Sequence, residues 1–257
     1  MPARLRPYAY RAFARAVGVN LDETELELGE YASLGDFFAR RLRDGARAID
    51  GTAGTVISPC DGVTAAIGTA VDGALVQAKG RNYQLADLVA DPELARLLTG
   101  GAYTTIYLSP RDYHRVHAPV TGTIESYDYI PGYLWPVNPK VADRRDGLLA
   151  RNERVVIRMN SPELGHVAVV MVGAAGVGNI RLTHGPDSAT LRAAGERHRV
   201  EPAGLTVERG DELGAFRLGS TVVMVFEPGK VQLAGQVGQA VRFGERIGMR
   251  ASREPSP

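Results

Sequence analysis

Ser220 follows Gly219 and opens the apolar run TVVMVF, so its hydroxyl sits where a glycine-eased turn enters a buried strand. This is the only Gly-Ser pair in the chain, and most such pairs mark ordinary turns. Two other stretches carry groups that could act on it. In SPCDG, Asp61 stands between Cys60 and Gly62, a position where a carboxylate often braces its own turn. In YLSPRDYHRVHAPVTG a strand runs into a Pro-Arg-Asp turn, after which His114 and His117 follow in quick succession. Taken singly, these are turn-bracing or hydrogen-bonded core residues. Taken together, a carboxylate, an imidazole and a hydroxyl on glycine- or proline-defined corners are the parts of a nucleophile, its base and the acid that orients the base.

Two other chemistries compete for the same residues. Asp61, His114 and His117, with His166 or His184, have the donor types of a zinc site, but neither an H-E-x-x-H helix nor paired cysteines support one, so no metal is expected. A carrier domain would need a lysine for its prosthetic group, and Lys79, Lys140 and Lys230 stand in no convincing repeat corner.

The elements that must hold these groups fall into two parts. Residues 4–17 space Leu5, Tyr8, Ala9, Ala12, Phe13, Ala16 and Val17 as a helix, with Arg4, Arg6, Arg11 and Arg15 supplying charge. This basic amphipathic helix either lies on an anionic membrane surface or docks on its own domain. Ser33 and Asp36 mark an N-cap for a second helix, with Leu34, Phe37, Phe38 and Leu42 inward and Gly45 closing it. From Thr55 onward short β-rich runs dominate, interrupted chiefly by a helix expected over 85–98. The spacing of Val207, Gly210, Asp211, Leu213 and Gly214 recurs in Val241, Gly244, Glu245, Ile247 and Gly248, which predicts related barrel corners or hairpins. Residues 184–204 read as a mobile loop. The expected class is α+β: a β-rich body of barrel-like strands, 45–257, behind a helical N-terminal segment, 1–44.

Composition narrows the function classes. With 257 residues and 44% hydrophobic content the chain buries a substantial core, and a formal net charge of +1 gives no global attraction to nucleic acid. The single Cys60 excludes an internal disulfide framework. No apolar run approaches the roughly 20 residues that span a bilayer, and no signal-peptide core follows the basic N-terminus, so a soluble or peripheral protein is expected.

From about Leu21 to Gly248 the chain resembles the phosphatidylserine decarboxylase proenzymes, pyruvoyl-dependent enzymes that cut themselves within an LGST sequence. The blocks that carry the resemblance, in order, are SLGDFFARRL, SPCDG, QAKGRNYQL, YLSPRDYHRVHAP, VNP, LLARNERVVI, VGAAGVGNI, ELGAFRLGSTV and FEPGKV. The N-terminal helix and the stretch 181–187 match the family least.

The resemblance implies that Asp61 is the acid, His117 the base and Ser220 the nucleophile that attacks the Gly219 carbonyl. Cleavage there gives a large chain, 1–219, and a small chain, 220–257, headed by a pyruvoyl group made from Ser220. The substrate amine is expected to condense with that ketone to a Schiff base, so that phosphatidylserine loses CO2 and becomes phosphatidylethanolamine. His114 is the expected proton donor to the substrate carbon, with His117 as the other choice. Arg111 and Arg115 are candidates to hold phosphate or carboxylate, though they read first as surface arginines. The implied partners are phosphatidylserine, the membrane surface, and the two cleavage fragments for one another. A homodimer is left open, nucleic acid is not a partner, and the expected location is peripheral, on the cytoplasmic face of the cell membrane.

Overall fold

The longest β-branched runs make the centre of the molecule. A computed structural model describes residues 2–78, 81–174, 179–217 and 220–252, so Lys79 and Gly219, the residue expected to give up its carbonyl bond to Ser220, lie outside the described residues. Strand Ser220–Phe226 is buried at every position, as a strand covered on both faces must be. It pairs antiparallel with Gly165–Val172 on one side, Val223 opposite Val170, and with Ala102–Leu108 on the other, Ser220 opposite Leu108. Alternation sends Val222, Met224 and Phe226 into one core, while Val223 and Val225 enter a second core under the helices Leu85–Val89 and Pro92–Leu98.

The large sheet has nine strands, in the order His198–Val200, Gly122–Ile130, Arg154–Ser161, Gly165–Val172, Ser220–Phe226, Ala102–Leu108, Gly62–Thr69, Ala240–Val241, with Thr206–Val207 also on Gly122–Ile130. It is open, which corrects the barrel-like expectation: among the described residues its two edges do not pair. The reason lies at the repeated corners. Thr206–Val207 and Ala240–Val241 pair for only two residues each before glycines with positive φ, Gly210 at 97° and Gly244 at 87°, turn the chain out into other sheets. Beyond the corners, Glu212–Phe216 joins Arg115–His117 and Ile180–Leu182 in one three-stranded sheet. Arg246–Arg250 joins Thr55–Ile57 and Val231–Leu233 in another.

Other expectations shift in bounds. Ser33 caps the second helix, accepting the Asp36 N–H at 3.1 Å, but that helix covers only Leu34–Phe38. Residues past it are extended because they pair with 23–25: Glu25 N–H donates to Arg41 O at 3.1 Å and Arg43 N–H to Glu23 O at 2.9 Å. The helix expected over 85–98 is two, since Ala90 takes φ 51° and Asp91 caps a new start at Pro92. Residues 184–204 are structured by buried charges rather than apolar periodicity. They contain helix Ser188–Arg192 and strand His198–Val200, and they are tied down by Arg192 on buried Glu153 and by Arg197 and Arg199 on buried Asp128. The N-terminal helix, Arg6–Val17, docks Tyr10, stacked on Phe37 at 5.6 Å, yet leaves Leu5 49% and Tyr8 74% exposed.

Candidate active site

Two turns of like pattern hold the polar residues. Ile57-Ser58-Pro59-Cys60-Asp61-Gly62 and His117-Ala118-Pro119-Val120-Thr121-Gly122 each end one short strand and open one long one. They bond reciprocally, Ile57 N–H to Pro119 O at 3.1 Å and His117 N–H to Pro59 O at 2.9 Å. Each is clasped by one corner of the glycine repeat. Ser58 N–H donates to Glu245 O at 2.8 Å and Ala118 N–H to Asp211 O at 2.8 Å, while Gly244 and Gly210 donate back. The repeat is thus two related strand-turn-strand units that bond to one another reciprocally, Asp61 standing near the end of one turn and His117 at the start of the other. A Cβ at Gly62 would lie 2.5 Å from Tyr107 O, so the residue after Asp61 must be glycine.

Asp61 and His117 are brought together, but through an intermediary. Asp61 accepts the Phe243 N–H at 2.9 Å and a two-armed contact from Arg47, at 3.1 Å from Nε and 2.5 Å from Nη2. The Phe243 ring stacks on the His117 imidazole, centroids 3.7 Å apart. The His117 ring is oriented by backbone, since its Nδ1–H donates to Gly210 O at 2.7 Å. The Nε2 lone pair of that tautomer accepts from the Tyr113 hydroxyl at 2.9 Å. Burial pushes the His117 pKa down to about 4 and raises that of Tyr113, so the imidazole is neutral and the phenol remains a donor. Burial also works against the Arg47 charge, but the hydrogen bonds it donates to Asp61 and Glu23 outweigh it and hold the guanidinium above its ordinary pKa.

His114 and Ser220 are the remaining two candidates, and Leu108 connects the strand of one to the turn that leads to the other. The turn 109–112 begins one residue past Leu108, the partner of Ser220, and leads to His114. Asp112 braces it, its Oδ2 accepting both the N–H and the hydroxyl of Ser109 at 2.7 Å. The Asp112 carbonyl then accepts His114 Nδ1–H at 2.8 Å and Arg40 Nη2 at 3.2 Å. Phe38 packs on the His114 ring at 4.0 Å, and burial takes this pKa down to about 3. His114 Nε2 and Ser220 Oγ are both buried with no hydrogen-bond partner among the described residues. A buried polar atom left unpaired costs about 1–3 kcal/mol; other side chains here, Thr55, Thr105 and Tyr127 among them, share that state, and His114 and Ser220 are set apart from them by their chemistry as a base and a nucleophile.

The arrangement supplies a solvent-shielded hydroxyl, two imidazoles with Nε2 lone pairs, and a buried carboxylate locked to an arginine. No hydrogen bond joins Asp61 to His117, or His117 to Ser220, among the described residues. Nor do three His, Cys, Asp or Glu side chains there converge as a metal site. A cleft of ≈ 250 Å³ lined by Arg41, Arg43, Arg47, Tyr113 and Phe243 opens onto His117. Sequence reading missed Arg47, Tyr113, Phe243 and Arg40. Tyr113 lies in YLSPRDYHRVHAP beside His114 and Arg40 in SLGDFFARRL, which was the available signal for those two; the roles of Arg47 and Phe243 come from contacts distant in sequence.

Comparison with known proteins gives a consistent answer. The phosphatidylserine decarboxylase family model matches residues 34–249. The chain is 45% identical over 252 residues to a phosphatidylserine decarboxylase proenzyme of Anaeromyxobacter sp. (strain K), covering 96% of this chain and 88% of that protein. It is 42% identical over 251 residues to the proenzyme of Myxococcus xanthus, covering 97% and 89%. It is 36% identical over 242 residues to that of Brevibacillus brevis, covering 93% and 86%.

Proposed function

The chain belongs to the phosphatidylserine decarboxylase family, and from that premise we propose that it cuts itself between Gly219 and Ser220 and then converts phosphatidylserine to phosphatidylethanolamine and CO2. The observation that carries the reading is the fully buried Ser220 hydroxyl, without a hydrogen-bond partner among the described residues, at the first position of the central strand and directly after Gly219.

In this reading Ser220 Oγ attacks the Gly219 carbonyl carbon while His117, exchanging its Tyr113 contact, takes the hydroxyl proton. The peptide C–N bond breaks and an ester replaces it. Loss of the residue 220 Cα proton and breakage of its Cβ–O bond release 1–219 with a terminal carboxylate. Residue 220, now dehydroalanine, tautomerises, takes up water and loses ammonia to leave a pyruvoyl group heading 221–257. Asp61 serves His117 through Phe243, holding in place the backbone whose ring lies on the imidazole.

The surroundings fit that group, because among the described residues converting Ser220 sacrifices no side-chain hydrogen bond and the buried His114 has an unpaired Nε2. When present, the pyruvoyl group supplies the electron sink for loss of the substrate carboxylate. His114 holds the proton that returns to the substrate carbon; an anionic substrate beside it offsets the burial that keeps it neutral in the uncut chain. No helix of the described residues is long and apolar enough to cross a membrane. Attachment is assigned instead to the segment 1–44, where Leu5 and Tyr8 are exposed among arginines that suit an anionic cytoplasmic leaflet.

Intact mass spectrometry with borohydride trapping in the presence of serine lipid tests this reading. The expected products are the chains 1–219 and 220–257, the latter carrying a ketone cap that traps the lipid amine. A single unbroken chain with an ordinary serine at 220 overturns it.

A further inference from the structure

A second polar site lies on the sheet that leads to Ser220. Arg181, Ala215 and Arg115 are direct cross-strand partners, one on each strand of the three-stranded sheet, so their side chains share a face. The small central alanine leaves a gap between the two arginines. Arg217, two residues along the same strand direction, reaches the same face and lies over Gly35, where a Cβ would meet its side chain at 3.7 Å. The result is a cleft of ≈ 70 Å³ lined by Arg115, Arg181, Arg217, Asp36, Ala39 and Ala215.

The three arginines are not equally committed. Arg115 is fully engaged, with Glu212 at 2.6 and 2.7 Å and Ala39 O at 3.0 Å. Arg217 meets Asp36 at 3.3 Å, and Arg181, 58% exposed, stands 3.9 Å from Asp187. Arg41, which lines the neighbouring cleft, also approaches Glu212 at 3.7 Å, so the two guanidinium groups held loosely here are Arg181 and Arg217. A planar guanidinium pair with loose contacts on a shared face suits a tetrahedral oxyanion of single charge.

We propose that this cleft, through Arg181 and Arg217, holds the phosphodiester of the lipid headgroup, a role that rests on the decarboxylase reading above. Arg217 is three residues from Ser220, within about 10 Å along an extended chain.

The test measures binding of glycerophosphoglycerol, a phosphodiester with neither amine nor carboxylate, to the processed protein and to the Ser220→Ala chain. Arg181→Gln and Arg217→Gln should each weaken it about tenfold, the effect of one lost charge-assisted hydrogen bond. Arg96→Gln, on an exposed helix elsewhere, should change nothing. In the processed protein Arg181→Gln should raise KM for short-chain phosphatidylserine about tenfold and change kcat less than twofold. Unchanged glycerophosphoglycerol binding in both cleft variants overturns the proposal. So does tighter binding of inorganic phosphate than of the diester, or a loss confined to sedimentation with phosphatidylglycerol vesicles, which would mean that the cleft reads free anion or bilayer charge. Failure of the chain to cut itself refutes the decarboxylase reading separately, because the binding arm is also read on Ser220→Ala.

Discussion

Asp61 is held by Arg47 rather than by His117, and a double-mutant cycle puts that to a quantitative test. Both side chains are largely buried, 7% and 11% exposed, and meet at 2.5 Å. Breaking such a pair from one side costs about 3–5 kcal/mol because it strands the other charge. Glu23, 2.9 Å from the same Nη2, keeps Arg47 partly compensated, so the lower end applies. In the uncut Ser220→Ala background, Asp61→Asn should cost about 3 kcal/mol and lower the apparent Tm by roughly 6–12 °C for a chain of this size. Combined with Arg47→Gln, the coupling should be about 2 kcal/mol. Nitrogen-15 imidazole shifts give an independent check: His117 should keep its proton on Nδ1 in Asp61→Asn, because Gly210 O holds it. A coupling below about 0.5 kcal/mol, or a switch of His117 to the other tautomer, refutes the reasoning and returns Asp61 to direct orientation of the ring.

Ser220→Ala should run as one uncut chain on a denaturing gel. Asp61→Asn and His117→Ala should cut at least a hundredfold more slowly than wild type, the scale of a lost general base. His114→Ala should cut yet decarboxylate poorly; an uncut His114→Ala chain moves that residue into maturation. Acid should destabilise the uncut chain: both histidines are held neutral, near 4 for His117 and near 3 for His114 against an ordinary 6.5, so unfolding takes up protons and stability falls as pH drops below 6.5 toward those values. Between pH 6.5 and 5, before most carboxylates titrate, urea melts of Ser220→Ala should show a slope from this pair of at most about 2.7 kcal/mol per pH unit, and His114→Gln should roughly halve it.

What could be read from the chain and what could not divides along contact range. TVVMVF is continuous and apolar, so a strand buried on both faces was legible from local pattern alone, as was the Ser33 cap. The repeat at 207–214 and 241–248 was legible as spacing, because each copy needs its glycine at a corner. Its geometry was not: whether such corners close a barrel or leave a sheet depends on what the outgoing strands pair with, and those partners, Thr55–Ile57 and Arg115–His117, lie more than 90 residues away. The loop expected over 184–204 failed for a related reason. Its order comes from Arg192, Arg197 and Arg199 reaching buried carboxylates on other strands, an electrostatic attachment that leaves no apolar period to detect.

The same distinction decides how the candidate site works. Residue types at 61, 117 and 220 suggest a relay in which the acid sets the tautomer of the base. In the folded chain both imidazoles already have their Nδ1 protons fixed by main-chain carbonyls, Gly210 for His117 and Asp112 for His114, each within 2.8 Å. A carboxylate is not needed for that task, and Asp61 is free to do another. It anchors Phe243, the residue before the corner glycine Gly244, while the other corner supplies Gly210 O, so the two copies of the repeat grip the His117 ring from its face and its edge. The imidazole orientation is therefore a property of the paired corners, and changes at Gly210 or Gly244 should reach His117 as directly as a change at Asp61.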